Sequence, residues 1–256
     1  MNTFFISSPL DQFEIRQLLG LITPFFDLSF INFTTFSLYS VITLIIILIF
    51  VQLADSQGKL VGGRWYIVHE ALYDTILNMT RSQIGGSKGG YYFPLLYSLF
   101  LFILVANLIS MVPYSFALNA HVIFVVSLSF IVWLGVTITG FSIHGLGFFA
   151  LFVPVGTPLP LVPVLVLIEL LSYVARAISL GLRLGANIIA GHLLLNILAG
   201  LVFTLMSVSP ISFVLGFIPV AGIFAIVCLE FAIACIQAYV FTILAAGYIK
   251  DGLYLH

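Results

Sequence analysis

Charged side chains are scarce in this sequence. They make up 7% of its 256 residues, whereas soluble domains carry about 25%. By contrast, 62% of the residues are hydrophobic, and uncharged apolar runs of about 18 residues or more, such as residues 36–53, predict membrane-spanning helices. The composition therefore excludes a soluble globular protein and predicts an all-α polytopic membrane protein.

Motifs for metals, cofactors and nucleic acids are also lacking. The two cysteines, Cys228 and Cys235, are separated by about two helical turns in one apolar run, too far apart for a disulfide. No Cys/His set has the spacing of a metal site, no nucleophile–base set is present, and no basic patch suggests nucleic-acid binding. The sequence predicts no metal, no cofactor, no nucleic-acid partner and no catalytic site of its own.

The distribution of polar residues divides a single membrane domain, residues 1–256, into segments. These are an N-terminal segment (1–35), a first span (36–53), a polar segment with an amphipathic surface helix (54–90), a transmembrane hairpin (92–150) and two long apolar runs (161–206 and 211–249). As continuous helices, both runs would be about twice as long as the ~30 Å hydrocarbon core is thick. Each run could instead break into two spans, but neither contains a strong turn signal, and we therefore expect two long, steeply tilted helices.

The first long run carries a stripe of polar residues. Glu169, Arg176 and Arg183 recur every seven positions, and residues seven apart return to nearly the same face of a helix. Ser172, Ser179 and Asn187 fall on that stripe as well. A charge at the centre of a bilayer costs about 2.5–3.5 kcal/mol even on a lenient scale. Glu169 and Arg176 could simply neutralise each other, but several polar groups on one stripe favour a substrate or proton path.

Two titratable residues lie off this stripe. His192 is nine positions beyond Arg183 and therefore falls on the opposite side of the helix. In the second long run, Glu230 and Gln237 are seven positions apart and share a face. Histidine and buried glutamate can exchange protons near neutral pH, whereas arginine keeps its charge. Titratable groups interrupted by one permanent charge predict a proton relay with a barrier.

Several stretches resemble one family, subunit a of the F-type ATP synthase in its mitochondrial form. They are SPLDQFEIR, NLISMVPYSF, LIELLSYVAR, ISLGLRLGANIIAGHLLL and LEFAIACIQAYVFTIL. In the bacterial relatives an acidic residue typically occupies the position of His192, and a histidine often occupies that of Glu230. The two residue types are exchanged here, which supports a spatial pairing of His192 with Glu230.

The resemblance implies a role for each polar residue. Arg183 is expected to face the rotating ring of c subunits. The half-channel open to the intermembrane space would be lined by Asn187, His192, Glu230 and Gln237. The half-channel open to the matrix would contain Glu169 and Ser172, with Arg176 as a matrix-side contact for an acidic group. The implied protein is a non-catalytic stator subunit that passes H⁺ to and from the ring.

The same resemblance implies partners and a location. The partners are the c-subunit ring, the other stator and membrane subunits with the peripheral stalk, and the lipid bilayer of the mitochondrial inner membrane. Four Lys/Arg residues make the 54–90 segment the best candidate for the inside face of the membrane, where loops are enriched in Lys and Arg. If that side is the matrix, the amino terminus faces the intermembrane space and the carboxyl terminus faces the matrix.

Two other interpretations of the buried charges stay open. A proton-coupled transporter that works without a ring could use the arginine to bind an anionic substrate, and the purified chain would then conduct protons alone. An assembly subunit of a respiratory complex could use the polar groups only to pair helices. That interpretation would be favoured if alanine at both His192 and Glu230 left proton flux intact.

Overall fold

The computed structural model describes residues 13–19, 33–54, 62–112, 115–153, 161–208 and 210–254. Residues 55–61 of the predicted surface segment lie outside this part of the chain. The main elements are two short strands, β1 (Gln17–Leu19) and β2 (Phe33–Thr34), followed by helices α1 (Thr35–Leu53), α2 (Arg64–Ile84), α3 (Gly86–Ser110), α4 (Val122–His144), α5 (Val162–Val208), α6 (Pro210–Leu215) and α7 (Phe217–Leu253).

The prediction of an all-α polytopic membrane protein is confirmed. Within the described residues, five helical segments are long and apolar enough to cross a membrane: Thr35–Leu53, Lys88–Ser110, Val122–His144, Val162–Ser207 and Phe213–Leu253. The amphipathic helix expected within 54–90 is α2. Its position at the membrane surface stays a prediction.

The structure differs from the sequence prediction in three places. Strands β1 and β2 form an antiparallel pair that hydrophobicity did not indicate, because strands this short carry no periodicity. The polar segment was predicted to extend to residue 90, yet α3 begins at Gly86, and only Gly85 separates it from α2. The second long run is divided at Gly216, so that α6 precedes α7.

The two longest helices have the lengths that the apolar runs predicted. Helix α5 contains 47 residues and α7 contains 37, which correspond to about 70 and 55 Å at 1.5 Å per residue. The hydrocarbon core is about 30 Å thick. Each helix therefore lies at a steep tilt or extends beyond the core.

The chain forms two compact units, and their boundaries fall within helices. The first unit contains the described residues of 1–49, Phe102–His121 and Ala186–Gln237. The second unit contains the described residues of Phe50–Leu101, Val122–Gly185 and Ala238–His256. The candidate functional residues are distributed over both units.

In the first unit, a reciprocal cap begins α1. The backbone N–H of Thr34 donates to Ser37 Oγ at 3.0 Å, and the Ser37 N–H donates to Thr34 Oγ1 at 3.4 Å. This is a capping-box arrangement with serine in place of the usual Glu or Gln. Next to it, Phe116 stacks on His121 with ring centroids 4.9 Å apart. Burial lowers the pKa of His121, which lies between two spans.

In the second unit, small residues and aromatic rings fill the interior. Ala238, Ala245 and Ala246 of α7 are fully buried, and small residues of this kind let helices approach closely in a membrane. A cluster of Phe148, Phe152 and Tyr173 packs around the start of α5. Such packing, rather than a hydrophobic driving force, holds helices together in lipid.

Helices α4 and α5 approach each other closely at Gly181 in the second unit. A methyl group on Gly181 would lie 2.8 Å from Val126 Cα and 3.0 Å from the Val125 carbonyl oxygen. Both atoms belong to the backbone, so a side chain could be accommodated only if a helix moved. Two residues later, about 200° around the helix, Arg183 is exposed.

Replacing Gly181 by Ala should destabilise the packing of α4 on α5. Overpacking costs about 1–3 kcal/mol, so the thermal unfolding midpoint of the purified protein should fall by several degrees. Gly135→Ala is the matched control, because no atom lies within 4 Å of a methyl group placed there. Equal midpoints for the two variants would contradict the close-packing argument.

Candidate functional site

The first unit contains a small cavity between its helices, lined by both polar and apolar side chains. Its volume is about 20 Å³, and about 10–15 Å³ is enough for one water molecule. The polar side chains that line it are Asn107, Ser110, Asn187, Glu230 and Gln237. These residues come from α3, α5 and α7, which are otherwise strongly apolar.

His192 and Glu230 meet at this site. His192 Nε2 lies 3.9 Å from Glu230 Oε1, and the side chains are only 16% and 14% exposed. The spatial pairing predicted for these two residues is therefore confirmed. The ring of Phe13 also approaches His192 edge-on, with centroids 6.1 Å apart. A histidine and a glutamate at this distance can exchange a proton through one intervening water.

Gly191 makes room for the carboxylate of Glu230. A methyl group on Gly191 would lie 2.6 Å from Glu230 Oε1 and 3.0 Å from its Cδ. The glycine beside His192 therefore lets the Glu230 side chain pack directly on the backbone of α5.

Asn187 and Gln237 extend the polar wall of the cavity. Asn187 Nδ2 donates to Gln237 Oε1 at 3.3 Å. Gln237 is 5% exposed, and its Nε2 has no hydrogen-bond partner among the described residues. An unpaired buried donor is costly in an apolar surrounding, so this N–H is available to an occupant of the cavity.

Two asparagines that sequence reasoning did not select belong to the same network. Asn107 and Asn119 are 1% and 0% exposed, and Asn119 Nδ2 donates to Asn107 Oδ1 at 2.6 Å. Asn107 Nδ2 in turn donates to the Ala234 carbonyl at 3.2 Å. The sequence feature that could have identified them is that both asparagines lie close to the turn between two apolar spans.

The second unit holds a separate ionic cluster around Arg176. Its guanidinium contacts Glu169 Oε1 at 3.1 Å and Asp251 Oδ2 at 3.4 Å, and the Tyr248 hydroxyl donates to the Arg176 carbonyl at 3.2 Å. The three charged side chains are about 40% exposed. Asp251 was missed because it follows the last apolar run, where a charged residue is expected on grounds of solvation alone.

Arg183 differs from Arg176 in having no such cluster. Its side chain is exposed on α5, and within the part of the chain that the structure describes it forms neither a salt bridge nor a side-chain hydrogen bond. Ser172 lies on α5 too and is also exposed. On the predicted stripe, Ser172 and Arg183 are therefore exposed, whereas Glu169 and Arg176 form an ion pair with each other.

No cluster of three or more His, Cys, Asp or Glu side chains that could bind a metal ion is found in the described ranges. The chemistry of the site is that of amides, one imidazole, carboxylates and guanidinium groups. Ionisable groups inside spanning helices usually mark an ion or proton pathway. Fold and site together define a polytopic membrane protein with polar and ionisable side chains inside its long helices.

Comparison with known proteins specifies the family. Residues 37–250 match the family described as ATP synthase A chain. ATP synthase subunit a of Wickerhamomyces canadensis is 64% identical over 256 residues, with both chains fully covered, and that of Kluyveromyces lactis is 63% identical with the same coverage. Subunit a of Saccharomyces cerevisiae is 60% identical over all of this chain and 98% of its own length. The chain belongs to the ATP synthase A chain family.

Replacing Gly191 by Ala should separate His192 from Glu230 with little loss of stability, because the methyl group meets the flexible end of the glutamate rather than backbone. We expect the Nε2–Oε1 distance to lengthen beyond 4 Å in a structure of the variant, with an unfolding midpoint close to that of the parent protein. Gly200→Ala, also on α5, is the control, since no atom lies within 4 Å of its methyl position. An unchanged His192–Glu230 distance would refute the steric argument.

Proposed function

We propose that this chain is the proton-translocating stator subunit in the membrane part of ATP synthase. Membership of the ATP synthase A chain family supports the assignment to that complex. The observation that carries the proton role is the His192–Glu230 contact beside the polar cavity. The chain itself would form no chemical bond in ATP, and its part would be to move H⁺.

The cavity in the first unit is proposed as the half-channel that protons enter from the intermembrane space. His192 and Glu230 are titratable, and the amides of Asn187 and Gln237 offer hydrogen bonds to water without binding or releasing protons themselves. A proton that reaches Glu230 would pass to a carboxylate on the neighbouring c-subunit ring. The neutralised carboxylate can then face lipid, and the ring can turn.

The cluster in the second unit is proposed as part of the half-channel open to the matrix. Glu169 and Asp251 can accept the proton that the ring carboxylate releases after nearly a full turn. Arg176, in contact with both, offsets part of the repulsion between these carboxylates. Ser172, exposed on the same helix, is proposed to line the same half-channel, and the family resemblance supports this role.

Arg183 is proposed as the barrier between the two half-channels. Along α5 it follows Arg176 by seven residues and precedes Asn187 by four. Its permanent charge favours the ionised form of any carboxylate within about 4–6 Å, and so promotes proton release from the ring. The same charge repels a proton that would otherwise leak directly from one half-channel to the other.

The energy for rotation would come from the membrane potential and the pH gradient. Moving one proton across 100 mV supplies about 2.3 kcal/mol. The proposed setting is the mitochondrial inner membrane, with the amino terminus in the intermembrane space and the carboxyl terminus in the matrix. The proposed partners are the c-subunit ring and the other stator subunits, including the peripheral stalk.

Replacing Arg183 by Ala should abolish ATP synthesis driven by a proton gradient, because both the barrier and the charge that promotes release are lost. The measurement is the synthesis rate of the complete ATP synthase in sealed vesicles, which should fall to the background of vesicles without the complex. Ile178→Ala is the control, since Ile178 is exposed on the same helix but is uncharged and lies off the polar stripe. A normal rate with Arg183→Ala would refute the proposal, and proton flux through the purified chain alone would favour a transporter that needs no ring.

A further inference from the structure

Asn119 lies in the turn between α3 and α4 and is not among the residues that line the cavity. It is nevertheless fully buried, with 0% of its surface exposed. Burial of an amide is unfavourable unless it forms hydrogen bonds. The side chain to which Asn119 donates is Asn107, at 2.6 Å, and Asn107 does line the cavity beside Glu230.

The contacts of Asn107 determine which way its amide faces. The Ala234 carbonyl is only an acceptor, so the group of Asn107 that lies 3.2 Å from it has to be the Nδ2 amine. The Oδ1 atom therefore lies on the other side and requires a donor, which Asn119 Nδ2 supplies. These two hydrogen bonds together exclude the flipped orientation of the amide.

The fixed orientation decides what Asn107 offers to the cavity. An asparagine amine has two N–H donors, and one of them is used by Ala234. The other stays available to a water molecule or a carboxylate in the cavity. If Asn107 were free to rotate, its carbonyl oxygen could face the cavity instead and would compete for the proton as an acceptor.

We propose that Asn119 is a positioning residue of the proton path, which holds Asn107 so that an N–H donor faces the cavity beside Glu230. The proposal rests on the proposed function of that cavity as a half-channel. It assigns Asn119 no contact with the transported proton. Its effect on transport passes through Asn107 alone.

The test compares Asn119→Val with Asn119→Thr in the complete ATP synthase. The two side chains have nearly the same shape, but only threonine retains a hydroxyl donor. We expect Asn119→Val to lower the ATP synthesis rate per assembled complex about fivefold, the factor expected for one lost hydrogen bond. Asn119→Thr should stay closer to the parent rate. Equal rates for the two variants would overturn the proposal.

A double-mutant cycle then tests whether Asn119 acts through Asn107. In complexes that already carry Asn107→Leu, adding Asn119→Val should cause no further decrease, because the group that Asn119 orients has been removed. If the two decreases multiply, the residues act independently and the proposal is wrong. A lower amount of complex with an unchanged rate per complex would show a purely structural role and would also overturn it.

Three further variants make the outcome interpretable. If Asn119→Val does not assemble, Asn119→Ala and Asn119→Ser form a smaller pair that again differs by one hydroxyl. Glu230→Gln is measured in parallel, because it tests the half-channel itself. If Glu230→Gln transports normally, the proposed function fails. If Glu230→Gln is impaired and Asn119→Val is normal, the inference about Asn119 is wrong, whereas the proposed function is retained.

Discussion

The contact between His192 and Glu230 is the feature on which the polar site of the first unit depends. It joins α5 to α7 in helices that are otherwise apolar, and lipid cannot compensate an unpaired polar group. At 3.9 Å the two side chains are near enough to share a proton through water, and too far apart to form a direct hydrogen bond. Gly191 sets this spacing by allowing the glutamate to lie against the backbone of α5.

The two arginines of α5 show how the same residue type serves two purposes. Arg176 is held between Glu169 and Asp251, so its charge is matched within the protein. Arg183 is exposed and lacks a matching carboxylate among the described residues. A charge left unmatched in a membrane segment is costly, which is the physical reason to expect that a carboxylate of another subunit approaches it.

Sequence periodicity predicted those parts of the site that lie on one helix. The seven-residue spacing placed Glu169 next to Arg176, and the nine-residue offset placed His192 away from the arginine stripe. Periodicity could not identify Asn107, Asn119 or Asp251 as site residues, because their partners lie on other elements and no local spacing connects them. The β1–β2 pair was missed for a similar reason, since two or three residues carry no measurable alternation.

The most direct test of the account is to exchange the two titratable residues. The ATP synthesis rate is measured in vesicles for His192→Glu, for Glu230→His and for the variant that carries both changes. If the pair passes protons, the exchanged variant restores one imidazole and one carboxylate in contact, and its rate should exceed that of the slower single variant by about fivefold or more. A double variant as slow as the slower single one would contradict the account.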